Sequence, residues 1–131
     1  MPTDLLRILY VEDNDLVRDI TCEFLALPNR SVLAVASAEE ALEVFEPNAF
    51  DIVVTDVSLP AMSGLDLARQ LLQRAPSVSI VIATGYGLNG EDAALGERVR
   101  IILKPFEPSQ LEQIFEELHP TVKDGRTRPN L

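Results

Sequence analysis

The strongest constraint on the fold is a regular alternation between short apolar segments and longer segments of helical periodicity. The short segments are rich in Val, Ile and Leu, and they predict five β-strands at residues 7–11, 31–35, 51–55, 78–82 and 99–103. Three of them are almost continuously hydrophobic, which is typical of central parallel strands covered on both faces. The sequence therefore predicts a parallel sheet with helices on both sides.

The segments between the strands predict the helices. Apolar residues recur at three- and four-residue steps and predict the face that each helix buries: Leu16, Val17, Ile20, Phe24 and Leu27 in the first, Leu65, Leu67, Ala68, Leu71 and Leu72 in the third, and Leu111, Ile114, Phe115 and Leu118 in the last. Ser37 begins a capping-box pattern that predicts a second helix extending to about Phe45. Residues 91–97 predict a short fourth helix between glycines, and Pro108 fits the first turn of the last helix.

A strict alternation of strands and helices implies an α/β fold with a doubly wound five-stranded parallel sheet and right-handed crossovers. At 131 residues the chain fits one domain, which we place at residues 1–120, followed by a flexible C-terminal tail at residues 121–131. Ligands of such sheets bind beyond the carboxyl ends of the strands. Functional residues are therefore expected where the strands end.

Charge and composition exclude several classes of function. Asp and Glu number 21 against 11 Lys and Arg, so the net charge is −10 and we expect no direct binding of nucleic acid. No apolar stretch approaches the roughly 20 residues that cross a bilayer, and no secretory signal is visible, so we expect a cytoplasmic protein without membrane insertion. Cys22 is the only cysteine, which excludes an internal disulfide and gives a zinc site no starting point. Proteins and cations remain as partners.

Polar side chains follow four of the five predicted strands: Glu12 and Asp13, then Asp56, Thr84 and Lys104. If the first and third strands are neighbours, the three carboxylates converge. Like charges about 4 Å apart repel by roughly 4 kcal/mol at an effective dielectric constant near 20, so the cluster either takes up protons or binds a cation. Mg²⁺ prefers carboxylate, water and phosphate oxygens as ligands, which makes it the natural occupant.

The same residues suit phosphoryl transfer, which depends mainly on positioning and charge neutralisation. Asp56 is the best candidate nucleophile and would form an acyl phosphate. Lys104 would neutralise the phosphoryl oxygens, and the hydroxyl of Thr84 would donate a hydrogen bond to them. Taken singly, Asp13 can cap a helix and Asp56 can be a turn residue. Neither interpretation explains why acidic, hydroxyl and lysine side chains all occur at strand ends.

Four motifs, in this order and spacing, resemble those of the response-regulator receiver family, a CheY-like superfamily. They are Val11-Glu12-Asp13-Asn14-Asp15, Val54-Thr55-Asp56-Val57-Ser58-Leu59-Pro60-Ala61-Met62-Ser63-Gly64, Ile82-Ala83-Thr84-Gly85 and Leu103-Lys104-Pro105-Phe106. The resemblance covers about residues 7–118 and implies a flavodoxin-like three-layer sandwich with sheet order 2-1-3-4-5. It also implies a cis Lys104–Pro105 bond, and Mg²⁺ surrounded by Glu12, Asp13, Asp56 and the main-chain carbonyl of Ser58.

The resemblance implies a function in two-component signal transduction. The domain would accept a phosphoryl group on Asp56 from a phosphohistidine of a sensor histidine kinase or a phosphotransfer protein. It would then change its affinity for a downstream protein target. It would catalyse its own phosphorylation and dephosphorylation without being a metabolic enzyme. The sequence leaves open whether phosphorylation causes dimerisation.

One position departs from the family pattern. Many receivers carry an aromatic residue three positions before the lysine, whose ring turns inward on activation, and this chain has Ile101 there. Thr84 is instead followed by Gly85-Tyr86-Gly87, which resembles a subgroup of mostly single-domain regulators with an Ala-Thr-Gly-aromatic-Gly signature. We therefore expect Tyr86 to take over part of the gating.

Other interpretations stay open at this point. The chain can be the receiver module of a hybrid histidine kinase, or an interaction module that has kept the fold without the chemistry. Asp13-Asn14-Asp15 is similar to the Asp-x-Asp start of haloacid-dehalogenase-like phosphatases, with Asp13 as nucleophile, but a cap insertion is absent from the sequence. Residues 85–90 match the dinucleotide fingerprint G-x-G-x-x-G, which we reject because the next strand is followed by Lys104 and not by an acid for the ribose.

Overall fold

The computed structural model describes residues 5–47, 49–86 and 95–119. Within them the strands are β1 (Leu6–Val11), β2 (Arg30–Val35), β3 (Ile52–Asp56), β4 (Ser79–Thr84) and β5 (Val99–Leu103). The helices are α1 (Asp15–Leu25), α2 (Ala38–Val44), α3 (Gly64–Arg74) and α4 (Pro108–Leu118). Most of the helix predicted at residues 91–97 lies outside the described residues, as does the predicted tail at residues 121–131.

The five strands form one parallel sheet in the order β2-β1-β3-β4-β5. This is the predicted α/β doubly wound sheet, and the order 2-1-3-4-5 implied by the family resemblance is confirmed. β3 and β4 are buried along their whole length, which explains their continuous hydrophobic sequences. The register pairs Val11 with Thr55 and Thr84 with Leu103, so the carboxyl ends of β1, β3, β4 and β5 lie at one edge of the sheet.

Helices cover both faces of the sheet and produce two apolar layers. One layer packs α2 and α3 against the sheet and includes Ala41, Leu67, Leu71, Val53 and Ile80. The other packs α1 and α4 against the opposite face and includes Leu25, Leu111, Phe115, Val54 and Val81. The three-layer sandwich predicted from the resemblance is therefore present. Among the described residues, no helix combines the length and the apolar character needed to cross a membrane.

Most of the buried face predicted for α1 is wrong, although Phe24 packs against the core. Leu16 and Ile20 are 68% and 53% exposed, and the buried residues of the helix are Thr21 and Leu25. Polar anchors explain the difference: Arg18 donates a hydrogen bond to the main-chain carbonyl of Glu12, and Thr21 is hydrogen-bonded to the phenol of Tyr10. These contacts hold the helix with its apolar row toward solvent. The periodicity of apolar residues does not predict them, because they are made by polar side chains.

Candidate functional site

The acidic residues predicted to converge do so at the carboxyl ends of β1 and β3. Because these strands are neighbours, Glu12 and Asp13 follow β1 directly beside Asp56, the last residue of β3. One carboxylate oxygen from each of the three residues lies within 4.8 Å of the others. Glu12 and Asp56 are buried and Asp13 is exposed, so the cluster opens to solvent on the side of Asp13.

Glu12 is fixed on three sides. Its amide donates to the carbonyl of Val35, its carbonyl accepts from Arg18, and its carboxylate accepts from the amide of Asn14 at 3.0 Å. Burial raises the pKa of Glu12, and the negative charge of Asp56 acts in the same direction, while the hydrogen bond from Asn14 opposes the shift. Ionisation of this carboxylate is therefore disfavoured, and a bound cation would stabilise the ionised form.

Lys104 is the counterion of Asp56. Its Nζ lies 2.6 Å from Oδ1 of Asp56, although β5 is two strands away from β3 in the sheet. The lysine side chain spans β4, and the main-chain amide of Lys104 donates to the carbonyl of Thr84 at 2.8 Å. The Lys104–Pro105 bond is cis, as the resemblance implied. The predicted association of Asp56 with Lys104 is thus present in the structure.

The start of α3 closes against the end of β3. Gly64 donates its amide to the carbonyl of Val57, and a Cβ at Gly64 would lie 2.3 Å from the main-chain oxygen of Asp56. Ser63 caps the helix through its hydroxyl. Between these elements, Ala61 adopts a positive φ of 68°, which is a strained conformation for a residue with a side chain. Only glycine at position 64 permits the close approach between the start of α3 and the main-chain oxygen of Asp56.

Thr84 ends β4 but does not bond to the acidic cluster in this structure. Its buried hydroxyl donates to the carbonyl of Tyr86 at 3.0 Å and accepts from the amide of Tyr86 at 3.2 Å. Tyr86 is 61% exposed. Ile101, where the family pattern has an aromatic residue, is partly buried against the α2–α3 layer. The structure therefore connects Thr84 directly to the residue expected to replace the aromatic switch.

Arg18 and Gly64 are site residues to which the sequence interpretation assigned no role. The spacing of Asp15 and Arg18, which form an ion pair on α1, is the only local signal for Arg18. Gly64 belongs to a motif quoted above, but its contact with Asp56 depends on the tertiary structure. Ser58 is exposed two residues after Asp56, and the role of its carbonyl stays a prediction.

The donor set fits a hard divalent cation. All three acidic side chains offer oxygen, and together with Lys104 they leave a local charge of −2, from three negative charges and one positive charge. Mg²⁺ binds such carboxylates together with water and phosphate oxygens. The exposed position of Asp13 leaves one side of the cluster accessible to ligands from solvent.

Comparison with known proteins identifies the family. The sequence model of the family described as response regulator receiver domain matches residues 8–116. This range contains β1 from Ile8 onward, β2 to β5, and all three acidic residues of the cluster. The chain belongs to this receiver family. The phosphatase interpretation is not favoured by this match.

Relatives of this receiver occur in longer proteins. The sensor protein TorS of Escherichia coli strain K12 is 35% identical over 118 residues, which are 86% of this chain. The chain spans only 13% of the length of TorS. Proteins named as response regulators also match, so the shared unit is the receiver and not a whole protein architecture.

Solved receiver structures superpose on this fold. A response regulator receiver domain protein from Clostridium thermocellum gives a TM-score of 0.79 at 26% identity, covering 87% of this chain and 94% of that chain. The response regulator protein TrrA from Thermotoga maritima, solved in complex with Mg²⁺ and BeF, gives a TM-score of 0.76 at 25% identity, covering 87% and 99%. These likenesses agree with the family match.

Proposed function

We propose that this chain is a phosphorylation-dependent switch of a two-component system, in which Asp56 accepts a phosphoryl group from a phosphohistidine. The donor would be a sensor histidine kinase or a phosphotransfer protein in the cytoplasm. One observation carries the proposal: Glu12, Asp13 and Asp56 present carboxylate oxygens within 4.8 Å of one another, and Lys104 contacts Asp56 at 2.6 Å.

Each residue of the site has its own role in the proposed phosphoryl transfer. A carboxylate oxygen of Asp56 forms a bond to phosphorus while the bond from phosphorus to the histidine nitrogen breaks. Lys104, already paired with Asp56, moves its ammonium group onto the phosphoryl oxygens. Glu12, Asp13, Asp56 and the carbonyl of Ser58 would hold Mg²⁺, which supplies charge neutralisation for the incoming phosphoryl group. Dephosphorylation by water uses the same residues, so the domain acts on its own acyl phosphate and on no metabolic substrate.

The surface next to the site supports a protein donor. α1 begins at Asp15, two residues after Asp13, and it presents Leu16 and Ile20 to solvent. An apolar row bordering a charged site is typical of a protein contact surface. The output surface lies at the ends of β4 and β5, where Tyr86 and Leu103 are 61% and 56% exposed. Release of Tyr86 by Thr84 would alter this surface and change the affinity for a downstream protein.

Phosphorylation with acetyl phosphate and Mg²⁺, followed by intact-mass spectrometry, tests the proposal. Wild-type protein should gain one phosphoryl group, and Asp56→Asn should gain none. Asp51→Asn is the matched control, because Asp51 precedes the opposite end of the same strand, and it should be phosphorylated like the wild type. Loss of the adduct when Mg²⁺ is chelated would support the metal assignment. A stable adduct on Asp13 would contradict the assignment of the nucleophile and support the phosphatase interpretation.

A further inference from the structure

A polar cavity lies at the opposite edge of the sheet from the acidic cluster. Its volume is about 300 Å³, at the small end of ligand pockets. It is lined where β1, β3, β4 and β5 begin, and where α3 and α4 end. Its polar lining includes Arg7, Asp51, Arg98 and His119. The cavity is separated from Asp56 by the length of β3, so it is distinct from the phosphorylation site.

The cavity is cationic although the protein is strongly acidic. Asp51 is compensated by Arg7, which donates to the carboxylate from its main-chain amide at 2.8 Å and from its guanidinium at 3.1 and 3.2 Å. The guanidinium of Arg98 is additional to that pair, and one of its nitrogens lies 3.5 Å from Nε2 of His119. The lining therefore has an excess of positive charge in a chain whose net charge is −10.

Arg98 has unused hydrogen-bonding capacity. One guanidinium nitrogen donates to the hydroxyl of Ser79, but its Nε is buried and has no hydrogen-bond partner among the described residues. A buried donor without an acceptor costs about 1–3 kcal/mol, so an acceptor oxygen there would be favourable. Phe50 and Val78 contribute apolar surface to the same cavity. A ligand that satisfies Arg98 would therefore also contact an apolar wall.

We propose that this cavity binds a small organic anion, whose carboxylate or phosphate group pairs with Arg98 and whose short apolar body packs against Phe50 and Val78. Guanidinium groups bind both oxyanions through paired hydrogen bonds. The volume suffices for one ring or a short chain together with the anionic group. The site is independent of the proposed phosphorylation of Asp56.

The carbonyl ends of α3 and α4 provide another reason for cations at this edge, because helix C-termini attract positive charge. In that case the arginines would only neutralise the helices, and the cavity would not select an anion. The two explanations make different predictions for ligand binding, so an experiment separates them.

The test is a titration of the full unphosphorylated chain, observed by backbone amide NMR at constant ionic strength. Benzoate and phenyl phosphate serve as the two anionic probes, and benzamide serves as the neutral probe of nearly the same shape. At least one anion should shift the amides of Phe50, Ser77 and His119 saturably, with a dissociation constant at or below about 1 mM. The stronger of the two anions identifies the carboxylate or the phosphate as the preferred group. Benzamide should bind at least about tenfold more weakly.

Two pairs of variants locate the binding. Ser77 is exposed in the lining, so Ser77→Glu should fold and repel the anion, weakening binding at least about tenfold, while the uncharged Ser77→Gln should retain it. Arg98→Gln should weaken binding similarly, whereas Arg100→Gln on the same strand, where Arg100 pairs with Glu117, should not. Equal binding of benzamide and benzoate, or the absence of saturable shifts at the cavity in wild-type protein, would overturn the proposal.

Discussion

At the scale of single residues, the site depends on the missing side chain of Gly64 as much as on the charged groups. The main-chain oxygen of Asp56 occupies the place that a Cβ at Gly64 would need. Backbone atoms on both sides of this contact are held by the β3 strand and by the start of α3, so they cannot move aside cheaply. This close packing therefore fixes the main chain of the residue whose carboxylate contacts Lys104.

Gly64→Ala should therefore lower the free energy of unfolding by about 1–3 kcal/mol, despite the higher helix propensity of alanine. It should also slow phosphorylation by acetyl phosphate, because the main chain of Asp56 must shift. Urea unfolding and the mass assay measure the two effects. Gly85→Ala is the control: a Cβ there meets nothing within 4 Å, and stability should change by no more than about 0.5 kcal/mol. Equal effects of both substitutions would contradict the steric argument.

At the scale of secondary-structure elements, α1 shows that the apolar row of a helix is not always its buried face. Leu25 is fully buried, while Ile20 on the same helix is 53% exposed. The helix is oriented by Arg18 and Thr21, whose hydrogen bonds reach the main chain of Glu12 and the phenol of Tyr10. Burial raises the pKa of Tyr10 to about 12, although the hydrogen bond with Thr21 acts against the shift.

Two substitutions on α1 test this orientation. Leu25→Ala should lower the free energy of unfolding by about 2–5 kcal/mol, because it leaves a cavity in the core. Ile20→Asn should lower it by no more than about 0.5 kcal/mol, because the side chain is already in contact with solvent. Equilibrium unfolding in urea gives both values. A large loss of stability in Ile20→Asn would show that the predicted buried face was right after all.

The start of β1 is held to the residue before β3 by the ion pair between Arg7 and Asp51. Burial of Asp51 opposes its ionisation, but the hydrogen bonds from Arg7 dominate and lower the pKa of the carboxyl group. The ionised form is thus favoured by folding. The stabilisation is fully present above the unfolded-state pKa of about 3.9, and it is lost as the pH falls through the lower pKa of the folded state.

Asp51→Asn should lower the free energy of unfolding at pH 7 by about 1 kcal/mol, a value reduced for the partial exposure of both side chains. The difference from wild type should shrink as the pH falls below about 4. Urea unfolding from neutral to acidic pH measures it. Asp66→Asn, which breaks the exposed ion pair with Arg69 on α3, should cost only a few tenths of a kcal/mol. A constant difference between Asp51→Asn and wild type at all pH values would contradict the electrostatic origin.

At the scale of the whole molecule, the alternation of strands and helices predicts a parallel sheet with its site at the carboxyl ends of the strands. The strand order that brings the acidic residues together is implied only by the family resemblance. Buried strands such as β3 have a clear hydrophobic signal, and polar residues at their ends must meet at one edge of a parallel sheet. The orientation of α1 could not be predicted, because it depends on single hydrogen bonds between residues of different elements. The contacts of Thr84 could not be predicted either, because they depend on the turn that follows β4. The cavity at the opposite edge also has no sequence motif.

Thr84 ends β4, the strand next to the one that ends in Asp56, and its hydroxyl is bonded to the exposed Tyr86. Its one hydroxyl is engaged by the main chain of Tyr86, so it cannot also donate to a phosphoryl group on Asp56 without releasing the carbonyl of Tyr86. Phosphorylation should therefore change the surroundings of Tyr86. The chain has no tryptophan and only two tyrosines, so Tyr10→Phe leaves Tyr86 as the single emitter for tyrosine fluorescence.

In this Tyr10→Phe protein, Mg²⁺ and beryllofluoride, a mimic of the phosphoryl group, should change the emission of Tyr86. Thr84→Val keeps the shape of the buried side chain but removes the hydroxyl, so the adduct should still form, as fluorine NMR would report, while the change in emission is lost. Asp56→Asn should abolish both the adduct and the change in emission. If Thr84→Val retained the full response of Tyr86, the hydroxyl would not be the link, and the output would reach the surface through another contact such as the main-chain bond between Lys104 and Thr84.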